Sequence, residues 1–176
     1  MFDALKEILR SRTIRSTSGR STGFLPLGAI HSVIVFVNVE DPSFEECKQT
    51  LMAFFRENGL KGEIYYFDLR RIEKEERLLT SIASTILTKD LNWYGKPSHD
   101  KISHLMQANP DLLISLLKEK NYAHDYMVRR SNARFKVGRQ QIAGKAFALV
   151  LNEHEDSRLS EIQAFRNIME FLHKIV

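Results

Sequence analysis

The side chains best suited to hold a ligand fall in two stretches. "DLNWYGKPS" (residues 90–98) carries Trp93, Tyr94 and Lys96, and "NYAHDYMVRRSNARFKVGR" (121–139) carries Asn121, Arg130 and Arg139. An indole or phenol ring covers a flat molecule. An ammonium pins an anion, and a guanidinium fork matches the oxygens of a phosphate. These six residues are the candidate ligand-binding set. The loop also has a reading without a ligand, and we adopt it first: Trp93 plugs the end of a sheet, Gly95 takes a positive φ and Pro97 stops the turn.

Other chemistries find less support. The loop after the first strand, "NVEDPSFEE", has no glycine and carries Glu40, Asp41, Glu45 and Glu46, so a pyrophosphate would meet carboxylates there. Asp68 ends a strand where a ribose-binding acid would stand, but without a glycine loop it reads as a surface acid. Glu40, Asp41 and Asp68 have the oxygen chemistry of a magnesium site, and the simpler account is helix capping by negative charge. Cys47 lies on the apolar face of a helix and reads as an inert thiol. The six histidines show no zinc spacing, no G-x-S-x-G elbow occurs, and nothing nominates a Ser-His-Asp set. The expectation is no cofactor, no metal and no assignable catalytic residue.

Charge is more informative. The net charge is +4, and no acid occurs between Glu7 and Glu40 or between Asp125 and Glu153. The second gap holds Arg129, Arg130, Arg134, Lys136 and Arg139, interleaved with Tyr122, Tyr126 and Phe135. Segregated charge of this kind attracts anions. An anionic ligand, protein or nucleic acid is the partner such a face would take, and a solvated face without a partner is the plainer alternative.

The elements that must position these residues follow from periodicity. Residues 1–24 read as a short helix (2–10) and a basic flexible arm, and 25–176 as a single α/β domain. "SVIVFVN" (32–38) is apolar without alternation, as in a strand covered on both faces. A helix follows, with a Ser43/Glu46 capping box and Gly59 at its end. Strands are expected at 63–69, 85–89, 110–117 and 146–152, and a charged helix near "IEKEERLL". Further helices fall around "DKISHLMQ", "NYAHDYMVRRS" and "SRLSEIQAFRNIMEFLHKI". "ARFKVGR" alternates, which predicts an edge strand with Arg134 and Lys136 on a wet face. The last two strands are expected to run antiparallel, because the short link between them holds no helix.

Repeated strand–helix alternation predicts a three-layer, Rossmann-like α/β fold: a mostly parallel sheet of about six strands with helices on both faces. Ligands in such sheets bind beyond the strand carboxyl ends at the switch point, here near 38–43 and 117–121. One cysteine fits a reducing compartment, no run approaches the ~18 apolar residues of a membrane span, and the amphipathic start is not a secretory signal. A cytoplasmic protein is expected.

Two resemblances add to this. The basic N-terminal helix and arm, "NWYGKP", "DLLISL" and "ARFKVGR" resemble a family of uncharacterised Bacteroidetes proteins, a domain of unknown function. That likeness implies a bacterial origin and assigns no site. Residues 110–139 are similar in layout to part of the N-terminal half of heptosyltransferase-type glycosyltransferases, which implies a Rossmann-like sheet. Those enzymes need two facing domains, and where their strand runs into an acidic, glycine-containing loop this chain has "LLKEKN"; no catalytic residue carries over. The leading functional expectation is a non-enzymatic module that binds an anionic partner through its basic face. The alternative is an enzyme or binding protein for a phosphorylated or sugar-nucleotide ligand in the crevice, with Lys96, Arg130 and Arg139 holding phosphate.

Overall fold

The computed structural model describes residues 2–16, 23–71, 80–151, 153 and 157–174. In chain order the elements are α1 (Phe2–Ser16), β1 (Ser32–Asn38), α2 (Phe44–Glu57), β2 (Lys61–Asp68), β3 (Thr85–Leu87), α3 (His99–Gln107), β4 (Leu112–Ser115), α4 (Tyr122–Arg130), β5 (Phe135–Gly138), β6 (Leu149–Val150) and α5 (Glu161–Lys174). The six strands form one sheet in the order β3-β2-β1-β4-β5-β6. Every adjacent pair is parallel. Val35 sits in register with Ile64 on one side and Ile114 on the other. The expected three-layer fold is the observed one, with β1 and β4 side by side in the same direction.

Why β1 lacks alternation is plain from its two faces. Val33, Val35 and Val37 enter a core shared with α2 and α5. Ile34 and Phe36 enter the opposite core, under α3 and α4. Each fully buried aliphatic or aromatic side chain contributes about 1.5–3 kcal/mol, so a central strand covered on both sides has no place for an exposed residue. No described helix is long and apolar enough to cross a membrane.

The structure corrects several local expectations. Helix α1 runs on to Ser16, into the stretch read as an arm. The Ser43/Glu46 capping box does not form, because Ser43 Oγ donates to Asp41 Oδ1 at 2.6 Å instead. Gly59 does end α2, at φ 61°. The charged helix expected at 72–79 lies outside the described residues.

β5 is not an edge strand. It lies between β4 and β6, and β6 pairs with it parallel, not antiparallel, Val137 opposite Leu149 and Gly138 opposite Val150. A parallel return usually takes a crossover helix. Here the 139–148 link covers the face itself: Ile142, Ala146 and Phe147 pack into the core beneath α4. Gln141 clamps that link, its amide donating to Phe147 O and accepting from Phe147 N–H, each at 3.1 Å. Gly138 makes room for it, since a Cβ there would lie 2.6 Å from the Phe147 ring.

Candidate functional site

At the carboxyl ends of β1 and β4, where the strand order reverses, a crevice of about 400 Å³ opens between residues 38–41 and 117–121. This is where the topology alone places a ligand. Its floor is built by the first turn of α5 meeting the loop after β1. Asp41 Oδ2 accepts from Glu161 N–H at 3.1 Å, and Ser43 Oγ accepts from Ile162 N–H at 3.2 Å. Asp41 is thus a cap, as the charge argument expected, but of α5 as well as of its own loop.

Glu161 was not visible as a site residue from sequence. Its side chain lines the crevice yet the residue is only 2% exposed. Both carboxyl oxygens accept from Asn38 N–H, at 2.9 and 3.0 Å. Burial pushes this acid up to about 8, helped by Asp41 and opposed by the Asn38 N–H and by Arg139. Burial thus favours the neutral carboxylic acid near neutral pH, a form that can donate a hydrogen bond as well as accept one. Asn38 and Asn121 line the same crevice. Asn38 Oδ1 accepts from Glu40 N–H at 3.0 Å, and Asn121 Oδ1 caps α4 by accepting from Ala123 N–H and His124 N–H. The NH2 groups of both amides have no partner among the described residues.

Arg139 also lines the crevice, but it is a structural residue there. Its guanidinium donates to Glu153 Oε1 at 2.6 Å and Oε2 at 2.9 Å, to Leu116 O at 3.0 Å and to Leu159 O at 2.7 Å. Burial alone would raise Glu153; Arg139 and Lys118 outweigh it and hold the carboxylate below its ordinary value.

The basic face expected between 129 and 139 is not one surface. Lys136 is 1% exposed, and its Nζ donates to Val128 O at 2.8 Å, in the last turn of α4. Burial, and then Arg129, push that ammonium down to about 8. The wet face inferred from alternation fails because both faces of β5 are covered; the lysine stem packs like an aliphatic chain. Arg129 is buried and donates to Ile14 O at 2.8 Å and to Ala143 O. Arg134 pairs with Asp111 at 3.0 Å.

The 90–98 loop is a corner, though not with the expected plug. Gly95 has φ 94° and Pro97 is buried, whereas Trp93 is 53% exposed. Tyr94 is tied down instead: its carbonyl accepts from Arg10 Nε at 2.8 Å, and its ring meets Tyr122 at 6.3 Å. The six candidate residues therefore divide. Asn121 and Arg139 reach the crevice, Lys96 and Arg130 line a separate groove, and Tyr94 and Trp93 line neither. Among the described residues no group of His, Cys, Asp or Glu side chains is arranged to hold a metal ion.

One constellation has no sequence signal at all. Ser115 Oγ lies 2.6 Å from His124 Nε2, and His124 Nδ1 lies 2.8 Å from Asp125 Oδ1. Assigning the hydroxyl proton to Nε2 and the Nδ1 proton to Asp125 satisfies all three groups, in the order of a nucleophilic triad. Ser115, however, is 0% exposed, at the carboxyl end of β4. It anchors α4 to the sheet. We expect no labelling of Ser115 by a fluorophosphonate probe. Ser115→Ala should cost about 1–3 kcal/mol in urea unfolding, because it strands a buried ring nitrogen. Labelling, or a neutral substitution, would contradict this assignment.

A family of unknown function, DUF6913, matches residues 3–172. No curated protein and no solved structure matches the chain.

Proposed function

We propose that this chain, which belongs to that family of unknown function, is a binding module whose switch-point crevice takes a small ligand rich in hydroxyl groups, such as a sugar. The observation that carries the reading is Glu161, an acid on the crevice floor with no ion-pair partner among the described residues. A site for hydroxyls needs groups that both donate and accept; a neutral carboxyl and two amides with spare NH2 groups supply both. Phosphate is less well served. The first-turn N–H groups of α4 and α5 are already taken by Asn121, Asp41 and Ser43. Of the two lysines in the lining, Lys118 is engaged by Ser157 O and Glu153, and Lys120 is set against Glu40 and Glu119. Of the alternatives drawn from sequence, support thus moves to the crevice and, within it, to the sugar part of a sugar-nucleotide-like ligand. A basic face for an anionic partner keeps only Arg130 and Arg134 outside the core. A bacterial, cytoplasmic setting belongs to the same proposal.

The test is saturation-transfer NMR with a panel of monosaccharides and their phosphates at millimolar concentration. Transfer is expected from at least one free sugar, with no gain from its phosphate. Asn38→Asp keeps the acceptor for Glu40 N–H and removes the amide donor, and should weaken binding about tenfold, the worth of one good hydrogen bond. Silence across the panel, or transfer unaffected by Asn38→Asp, would end the proposal.

A further inference from the structure

We infer that the groove between the 88–98 loop and helices α3 and α4 is a second binding site, for a small soluble anion built on a flat ring. It is a cavity of about 510 Å³, lined by Lys89, Lys96 and Arg130 above an apolar floor that includes Ile102, Met106 and Tyr126. None of the three cations has an ion-pair partner among the described residues. The groove's acid, Asp90, is already committed, accepting from Leu87 N–H at 2.9 Å and facing Lys101 Nζ at 3.6 Å. The lining therefore carries uncompensated positive charge within a concave surface, which concentrates anions more strongly than an open face does.

Two of these cations are also held in place. Lys96 Nζ stands 5.5 Å from the centre of the Tyr126 ring, and the Arg130 guanidinium rests on Met106 Sδ at 3.3–3.4 Å. Lys96 is presented by a loop that Asn92 organises: its Oδ1 accepts from Tyr94 N–H and Lys96 N–H, at 3.2 and 2.9 Å, and its own N–H donates to Lys96 O. Leu91 and Pro97 close the base of the loop by an antiparallel bridge. Arg10 of α1 fastens its far side through Tyr94 O. Cations fixed in advance against apolar and aromatic surface lose little freedom when an anion arrives, and the half-buried Leu91 and Met106 beside them offer apolar surface to a ring. Ligand recognition here uses a separate set of residues from the crevice, so either site stands without the other.

The measurement is a titration of the full chain with AMP, adenosine and inorganic phosphate at low salt, followed by fluorescence of Trp93, the chain's one tryptophan. AMP should bind about tenfold more tightly than either fragment, and its affinity should fall as salt rises. Lys96→Gln and Arg130→Gln, both changes outside the buried core, should each lower AMP affinity about fivefold or more. Asn38→Asp, in the other crevice, should leave it unchanged. No AMP binding at millimolar concentration, indifference to both glutamine variants, or sensitivity to Asn38→Asp would overturn the inference. So would a single-stranded oligonucleotide binding far more tightly than AMP through the same two residues, since that describes an extended polyanion surface.

Discussion

Glu161→Gln is expected to stabilise the protein at pH 8 by a few kcal/mol and to flatten its stability between pH 5 and 8. Folding buries this carboxyl and raises it from the ordinary 4.5 to about 8. Between those values the native state keeps a proton that the unfolded chain has lost. Native protein then binds more protons than unfolded, so stability falls as pH rises, by about 1.4 kcal/mol per pH unit for one such group. The favourable contribution is full below pH 4.5 and gone above about 8. Glutamine keeps the carbonyl that accepts from Asn38 N–H and carries no charge at any pH.

The groups facing Glu161 are Asp41 from the loop before α2, Cys47 of α2, and Arg139 beyond β5 with its partner Glu153. Burial holds the Cys47 thiol near 12, above this window. Arg139 is locked to Glu153 at 2.6 Å. Lys136 supplies the complementary arm. It is lowered from 10.5 to about 8, so between those values the native state binds fewer protons than the unfolded chain and stability recovers as pH rises. Urea unfolding from pH 5 to 10 should show a trough near pH 8 in the wild type. In Glu161→Gln the acid-side slope should vanish while the alkaline rise remains. A wild-type profile flat from pH 5 to 8, or a glutamine variant with the same slope, would show that Glu161 is ionised in the native state.

How much of this was legible in the sequence depends on whether local pattern or distant partners decide the outcome. The run Val33–Val37 has no polar residue, so only a strand covered on both faces suits it, and the sheet order puts β1 at the centre. The crevice was legible for a topological reason: β1 and β4 neighbour each other in a parallel sheet, and the chain leaves their carboxyl ends toward opposite faces, to α2 and to α4. Its chemistry was not. The amphipathic stretch "SRLSEIQAFRNIMEFLHKI" predicts a helix from Ser157, and an acid near its start is favoured by the helix dipole anyway; the observed α5 begins at Glu161, and that ordinary role hides the unusual burial.

β5 shows the opposite failure. Phe135-Lys136-Val137 alternates like a half-exposed strand, and the pattern contains nothing to say that Val128 O waits at the end of α4 to receive the ammonium. Ser115 and His124 are nine positions apart, joined only because α4 folds back over β4. Trp93 misled through propensity: a lone tryptophan usually pays to bury, yet here Pro97 closes the turn and Tyr94 takes the anchoring contact.

Arg139 offers the sharpest separation between a ligand-holding and a structural role. If it served a phosphate, replacing it would cost binding and little stability. Its geometry argues the reverse: Arg139→Met should destabilise the fold by about 3–5 kcal/mol, the usual loss when one partner of a buried pair is removed. The arginine and Glu153 side chains are 2% and 4% exposed, so each is the other's replacement for water. Lys118, 3.4 Å from Glu153 but 41% exposed, softens the loss without abolishing it. Glu153→Met should be equally costly, since it leaves a guanidinium buried against the carbonyls of Leu116 and Leu159 alone. The double variant Arg139→Met/Glu153→Met removes both charges together, and should lose less than the sum of the two single changes by at least 1 kcal/mol or so. It will not return to wild type, because the two carbonyls still lose their donor. Additive losses in that cycle, or an Arg139→Met protein as stable as the parent, would mean the guanidinium is free for another purpose and would restore it to the list of candidate ligand-holding groups.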